Sequence, residues 1–293
     1  MKKITMFLVL ACISCAVAFA QQSYYVSANG SNDNDGLTES KPLKSLWQAF
    51  RNATESSIKR ITVIGTLNEQ SEGIVSSVFF QEDYGTVFGL NDDDTQEITI
   101  TGKPGVNNAN RAILSARGSS AGVLTVDANV RIRFEHIEIS GGEGNEEYIG
   151  IGLIIEGGAS VTLGTGAMIR NNTSIGISIS DDGTCIIDGG EIRDNEVGVF
   201  IREKGVLTMR SGTIRDNKSS RNGGGVFVNE GGRFTMTGGT ITANNAGGAG
   251  GGVYVTSGGR FDQTGGTING NIASRGSNPN IFRAQGSLGS NLR

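Results

Sequence analysis

The chain has 293 residues, 46 of them glycine, about 16% where ordinary usage is near 7%. With three prolines and no strict Gly-x-y period it fits neither a collagen helix nor a proline-rich disordered chain, and 37% hydrophobic against 18% charged residues is enough apolar material for a folded body. A net charge of −4 argues against nucleic acid as a partner, and a single histidine, His136, argues against histidine-built zinc sites and Ser-His-Asp relays.

Lys2 and Lys3, the apolar run from Ile4 to Val17, and Ala18-Phe19-Ala20 before Gln21 read as a secretory signal over residues 1–20. The mature chain is then expected to begin at Gln21 and to be periplasmic, secreted or at the cell surface. The apolar run is too short for a transmembrane helix. Lipid attachment at Cys12 or Cys15 is the alternative, disfavoured by the early position of Cys12 and the poor triplet before Cys15. Losing Lys2 and Lys3 takes the net charge to −6 and leaves Cys185 as the lone cysteine, so the mature chain has no internal disulfide.

Residues 21–60 read as an N-terminal cap of strand, loop and helix. Within it, Asn32-Asp33-Asn34-Asp35-Gly36 resembles a calcium loop only superficially, because Pro42 stands where the last acid belongs, and a turn or cap loop is expected. Residues 43–57 predict a helix with Leu43, Leu46, Trp47 and Phe50 on one face, suited to closing the end of a solenoid. Ile61 to Leu67 and Ile98 to Thr101 read as strands of irregular first coils. Leu124 and Val126, Ile132 and Phe134, then Ile137 and Ile139 form a more regular coil, with Gly142 where later coils have asparagine.

From there the chain repeats. Gly190-Glu-Ile-Arg-Asp-Asn195, Gly212-Thr-Ile-Arg-Asp-Asn217, Gly239-Thr-Ile-Thr-Ala-Asn244 and Gly266-Thr-Ile-Asn-Gly-Asn271 are one motif, with a weaker copy at Gly166-Ala-Met-Ile-Arg-Asn171 and intervals of 24, 22, 27 and 27 residues. Each unit holds three short alternating runs, such as Val226-Phe-Val228, Phe234-Thr-Met236 and the run from Gly239. That leaves no room for a crossover helix, so the chain must coil, each turn about 4.8 Å from the last. The expected fold is an all-β parallel β-helix over residues 61–271, with residues 272–293 as a polar cap or tail.

The columns support this register. Leu153, Ile177, Val199, Val226, Val253 and Ile155, Ile179, Ile201, Val228, Val255 face inward on the first strand. The second contributes Val161, Cys185, Leu207, Phe234, Phe261 and Leu163, Ile187, Met209, Met236, with Gln263 breaking the rule in the final coil. Asn171, Asn195, Asn217, Asn244 and Asn271 are expected to bond from coil to coil, in a residue type that tolerates the left-handed conformation of a sharp turn.

Tyr24-Tyr-Val-Ser-Ala-Asn-Gly-Ser-Asn-Asp-Asn-Asp-Gly36 followed by Lys41-Pro-Leu-Lys-Ser-Leu-Trp-Gln-Ala49 resembles the opening of secreted right-handed parallel β-helix proteins of the pectate-lyase-like superfamily. The Gly-Gly-Gly-Val-Tyr-Val and Thr-Gly-Gly-Thr-Ile units are similar to the repeats of bacterial surface β-helix proteins. The resemblance covers most of the mature chain and implies a right-handed coil. It carries over no catalytic motif residue by residue.

Candidate sites come from the outward columns. Thr125, Ile154, Ser178, Phe200, Phe227 and Tyr254 alternate with the inward aliphatics, and the three rings form a strip beside Arg202 and Asn229 that suits a polysaccharide. Packing under loops or against a partner, or β-propensity alone, is the competing reading. Asp181, Glu203 and Glu230 stack in one turn and are the candidate calcium ligands, against a solvated turn neutralised by Arg202 and Lys204. Arg193-Asp194 and Arg215-Asp216, one coil apart, are the candidate catalytic pairs, against ordinary surface ion pairs. His136 is read as a surface residue and Cys185 as a core thiol. Insertions at 143–148, 218–222 and 246–250 fall after the third strand and are expected to border the strip.

Three readings follow. The first is a noncatalytic exported β-helix, with no cofactor, that presents its first-strand face to polysaccharide or a cell-surface partner. The second is a calcium-dependent polysaccharide lyase or related carbohydrate-active enzyme. The third is a purely structural surface or assembly protein.

Overall fold

The computed structural model describes residues 22–68, 96–106, 111–115, 123–127, 129–141, 150–275 and 278–290. The leader at 1–20, Gly142 and the insertion at 143–148 lie outside them. The described chain winds through three parallel sheets. One runs in nine strands from Tyr24–Ser27 to Arg260–Gln263, a second in eight from Thr66–Asn68 to Thr267–Asn269, and a third in seven from Leu124–Val126 to Ile281–Arg283. Successive coils supply successive strands of each sheet. The expected strands at Ile61 to Leu67 and Ile98 to Thr101 take their places in these sheets, at Arg60–Ile64, Thr66–Asn68 and Ile98–Thr101.

Period-two alternation on strands this short puts one to three side chains per strand into the lumen. Every aliphatic named above for the first and second strands is fully buried, and Ile169, Ile192, Ile214 and Ile241 complete the third side. Gln263 is buried too, and its amide donates to the carbonyls of Gly265 and Gly266, so its polar end is satisfied where the core runs out. Phe234 and Phe261 stack inside the lumen at 4.7 Å.

Cys185 is a core thiol with no access to solvent. Burial alone pushes it up to about 12. A thiol held neutral in the folded state, with an unfolded value near 8.5, favours folding below that value and loses its contribution as pH rises above it. The stability difference between the wild type and Cys185→Ala, read from urea melts, is expected to shrink by about 1.4 kcal/mol per pH unit from pH ~9 to ~11. A constant difference would mean the thiol is reached by water.

The helix runs over Leu46–Glu55, shorter than expected, because the Ser45 hydroxyl caps it by accepting from the Gln48 amide and Pro42 precedes it. Its buried face is Leu46, Ala49, Phe50 and Ala53, with Leu43 buried ahead of it. Trp47 is not part of that face. It stands exposed, with the Arg51 guanidinium 5.8 Å from its ring, since one position beyond Leu46 turns the side chain about 100° out of the core. The Asn32 to Gly36 loop is tied to the segment that leads into the helix: Asn32 Oδ1 accepts from the Lys44 and Ser45 amides, and Asn34 donates to the Pro42 carbonyl. These groups fasten the cap, as expected of a loop.

The asparagine column is shifted at its first member. Ile169 pairs with Ile192, a 23-residue step, and this aligns Asn172 rather than Asn171 with Asn195. Asn172, Asn195, Asn217, Asn244 and Asn271 are all buried, whereas Asn171 is exposed at φ 55°. The left-handed turn position is therefore the residue before the ladder, occupied in turn by Asn171, Asp194, Asp216, Ala243 and Gly270. The ladder asparagines do not adopt that conformation.

Each ladder amide donates to the next Oδ1, from Asn172 to Asn195 at 3.0 Å through to Asn271 to Asn280 at 3.0 Å. Each of those oxygens also accepts the previous asparagine's backbone N–H. Gly198 makes room for this packing: a Cβ there would lie 2.5 Å from the Gly225 carbonyl and 2.9 Å from the Asn217 amide.

The insertions at 218–222 and 246–250 do more than loop out. Lys218–Ser219, Asn245–Ala246 and Ile272–Ala273 form a small fourth parallel sheet. Beyond it, Ile281–Arg283 pairs with Val253–Val255 and extends the first-strand sheet by one coil. In that coil Arg283 takes the inward place of Val255. It lies 5.2 Å over the Phe261 ring and donates to the Leu288 and Phe261 carbonyls at 2.7 Å, laying a cation-tipped lid on the apolar lumen.

Candidate functional site

The register places Thr125, Ile154, Ser178, Phe200, Phe227 and Tyr254 in one outward column, as the alternation requires. Phe282 extends it by one ring. Phe200 and Phe227 stack at 4.8 Å and Tyr254 and Phe282 at 5.2 Å, while Phe227 and Tyr254 lie 5.0 Å apart with their planes tilted by 36°. These distances follow from the spacing of parallel strands, so the backbone sets the rings at stacking separation, each pair contributing about 0.5–1.5 kcal/mol. All four rings are half-buried.

Stacking decides what the column can offer a ligand. Phe227 and Tyr254 each have a ring neighbour on both sides, and Phe200 has Phe227 on one side and the Arg202 guanidinium 5.2 Å away. The inner rings therefore present edges. Among the described residues, Phe200 and Phe282 end the row, each with one ring neighbour.

The inserted segments border the column, as expected of 218–222 and 246–250. Gly223, at φ 69°, lies against Phe227, where a Cβ would stand 2.9 Å from the ring. Gly250 lies as close to Tyr254. On the opposite margin Arg202 is exposed and Asn229 half-buried, and both begin the turn that leaves the first strand.

Asp181, Glu203 and Glu230 occupy equivalent places in that turn and are exposed. Among the described residues no group of three or more Asp, Glu, His or Cys side chains comes together where a metal could sit. The parallel register spaces these three acids along the solenoid, one to a coil. Further up the same margin, burial first and the charges of Asp127 and Asp181 second raise the Glu156 carboxyl, while Ser180 and Arg202 work the other way.

Arg193 and Arg215 project from the third-strand sheet, on a different side of the coil from the rings. Arg193 pairs with Asp194 and lies 3.6 Å from Glu191; Arg215 pairs with Asp216 and donates to Glu191 at 2.6 Å. Arg170 continues the row with Glu138 at 2.9 Å. Burial works against the Arg215 charge, but its hydrogen bonds to Asp216 and Glu191 outweigh that and raise its pKa. An arginine that must give up a proton to act as a base is pushed the wrong way here. His136 sits at φ 49° in the turn between Arg131–Glu135 and Ile137–Ser140, with its amide donating to Thr165.

Three parallel sheets wound by one chain around a lumen of stacked side chains define a parallel β-helix protein. Residues 121–292 match the family described as the right-handed beta helix region, and the chain belongs to that family. A solved structure similar to it is the crystal structure of pectate lyase Pel9A, at 17% identity and a TM-score of 0.46, over 91% of this chain and 76% of that one. None of the curated proteins matches the chain. Among the described residues no helix is long and apolar enough to cross a membrane.

Proposed function

We propose that this is an exported, noncatalytic β-helix that presents its first-strand face to an extended polysaccharide. In this reading residues 1–20 are the leader, 21–60 the cap and 61–271 the solenoid, to whose sheets Tyr24–Ser27 of the cap and Ile281–Arg283 of the closing segment 272–293 each add a strand. One observation carries the proposal: four half-exposed rings stand in one column, a coil apart, beside an exposed guanidinium and the Asn229 turn. A linear polymer laid along the solenoid meets rings at a regular spacing, with Phe282 the last of them.

A second reading, a purely structural face, is favoured by the rings' use of one another's faces. A glycan array on the mature chain, followed by titration of the best ligand, separates the two. Phe282→Ala and Phe227→Ser are each expected to weaken binding by about 1 kcal/mol or more, roughly fivefold, with the fold intact. Ser178 already holds the same column, so serine is tolerated there. Unaltered affinity in both variants, with a lowered melting temperature, would assign the rings to stability alone.

A further inference from the structure

The solenoid does not end level. Ile281–Arg283 stands one coil above Val253–Val255, and the segment from Leu288 to Ser290 stands one coil above Arg260–Gln263, where its carbonyls accept the Phe261 and Gln263 amides. On the third side the last strand is Thr267–Asn269, and among the described residues no strand pairs beyond it. That side therefore ends in a recess one strand deep.

The recess lacks what the same place holds in earlier coils. The Thr267 amide turns back to the Gly239 carbonyl, so the alternation of a parallel ladder aims the N–H and C=O of Ile268 into the recess. The carbonyls of Ile169, Ile192, Ile214 and Ile241 each also accept the side-chain amide of the asparagine one coil on. Asn280 ends that ladder through its Oδ1 on Asn271, and among the described residues the Ile268 N–H and C=O have no partner. Ile268 is half-buried where Ile192, Ile214 and Ile241 are closed off, and Ile272, 59% exposed, stands just past the strand. From Thr267 to Ile272 there is neither a charge nor a proline, the residues that ordinarily blunt a sheet edge.

We infer that this recess is a docking site for one extended segment of a partner protein, laid parallel to Thr267–Asn269 with an uncharged aliphatic side chain resting on Ile268. The raised strands on the other two sides decide the occupant. The same stepped end of a second copy would meet them before its own edge reached Ile268. A helix spends its backbone groups on itself and has none for the edge, whereas a single strand supplies both a carbonyl and an amide.

The probe is a synthetic peptide copying Gly238 to Ala243, whose Ile241 takes the place above Ile268, titrated into the mature chain and followed by residue-resolved amide exchange. In the free chain the Ile268 amide is expected to exchange at least about a hundredfold faster than the Ile241 amide, and saturating peptide to slow it at least about tenfold with Ile241 unchanged. The same peptide carrying Ile241→Asp should have no effect, because its carboxylate would lie on the apolar floor. An Ile268 amide as protected as that of Ile241 in the free chain means the edge is already covered and overturns the inference. So does an exchange rate that no concentration of the peptide slows, or equal slowing by the aspartate peptide.

Discussion

Replacing Ile214 with aspartate is expected to destabilise the protein by about 4 kcal/mol or more, the sum of lost aliphatic burial and a carboxyl forced into an apolar lumen. Ile214 is fully buried between Ile192 and Ile241 in the third-strand column. A solenoid coil touches only its neighbours, so the damage spreads to the coils on either side. Urea melts followed by β-type circular dichroism should show a much lower midpoint. An unchanged midpoint would mean that Ile214 faces water and that the register is wrong. Arg215→Ala, one position along and outward, is the control and should shift stability by well under 1 kcal/mol if its pairs with Glu191 and Asp216 behave as surface ion pairs do.

The second large effect belongs to the ladder. Asn217→Ala removes the acceptor of the Asn195 backbone and side-chain amides, and the side-chain donor to Asn244 and to the Ile192 carbonyl, all of them buried. Buried groups stranded without partners cost about 1–3 kcal/mol each, so a loss of about 3 kcal/mol is expected. The pair Asn172→Ala and Asn171→Gly tests the one-residue shift. The first should destabilise by about 1–2 kcal/mol, while the second, at an exposed left-handed position, should be neutral or slightly stabilising. The opposite ranking would restore Asn171 to the ladder.

The inward columns were legible because a lumen imposes a strict rule: a polar residue at Val199 or Leu207 has no partner, so the alternation is repeated coil after coil. A fixed motif length points to Asn171 as the first ladder member, but Asn171-Asn172 offers two asparagines and the stretch from Gly166 to Asn172 is one residue longer than that from Gly190 to Asn195. Pairing Ile169 with Ile192 sets the register instead, since an isoleucine must stay in the lumen when the turn before it changes length. The last member, Asn280, carries no periodic signal. It lies nine residues after Asn271, immediately ahead of the last first-strand segment, and ends the ladder from a different column.

Phe282 was hidden by its neighbour. Ile281-Phe282-Arg283 repeats the alternation of Val253-Tyr254-Val255, but an arginine at an inward place reads as the end of the pattern. The structure gives the physical reason it is tolerated there: the arginine stem lies on the Phe261 ring and its head reaches the Leu288 and Phe261 carbonyls. Trp47 shows the converse: its type suits the core, but its angle on the helix turns it out to solvent. The candidate sites were legible as columns, because spacing along strands fixes which side chains share a face. Their contacts were not, since whether two rings spend their faces on each other depends on rotamers that no period encodes.

Hydrogen–deuterium exchange of the mature chain, with and without the glycan that the array selects, tests the central claim most directly. At saturation the account predicts protection confined to the ring face and its margins: the turns from Arg202 to Lys204 and Asn229 to Gly231, the inserted segments from Ser220 to Gly223 and Gly247 to Gly250, and Ile281 to Arg283. Protection centred instead on the Arg193 and Arg215 side of the coil, or none at saturation, would contradict it.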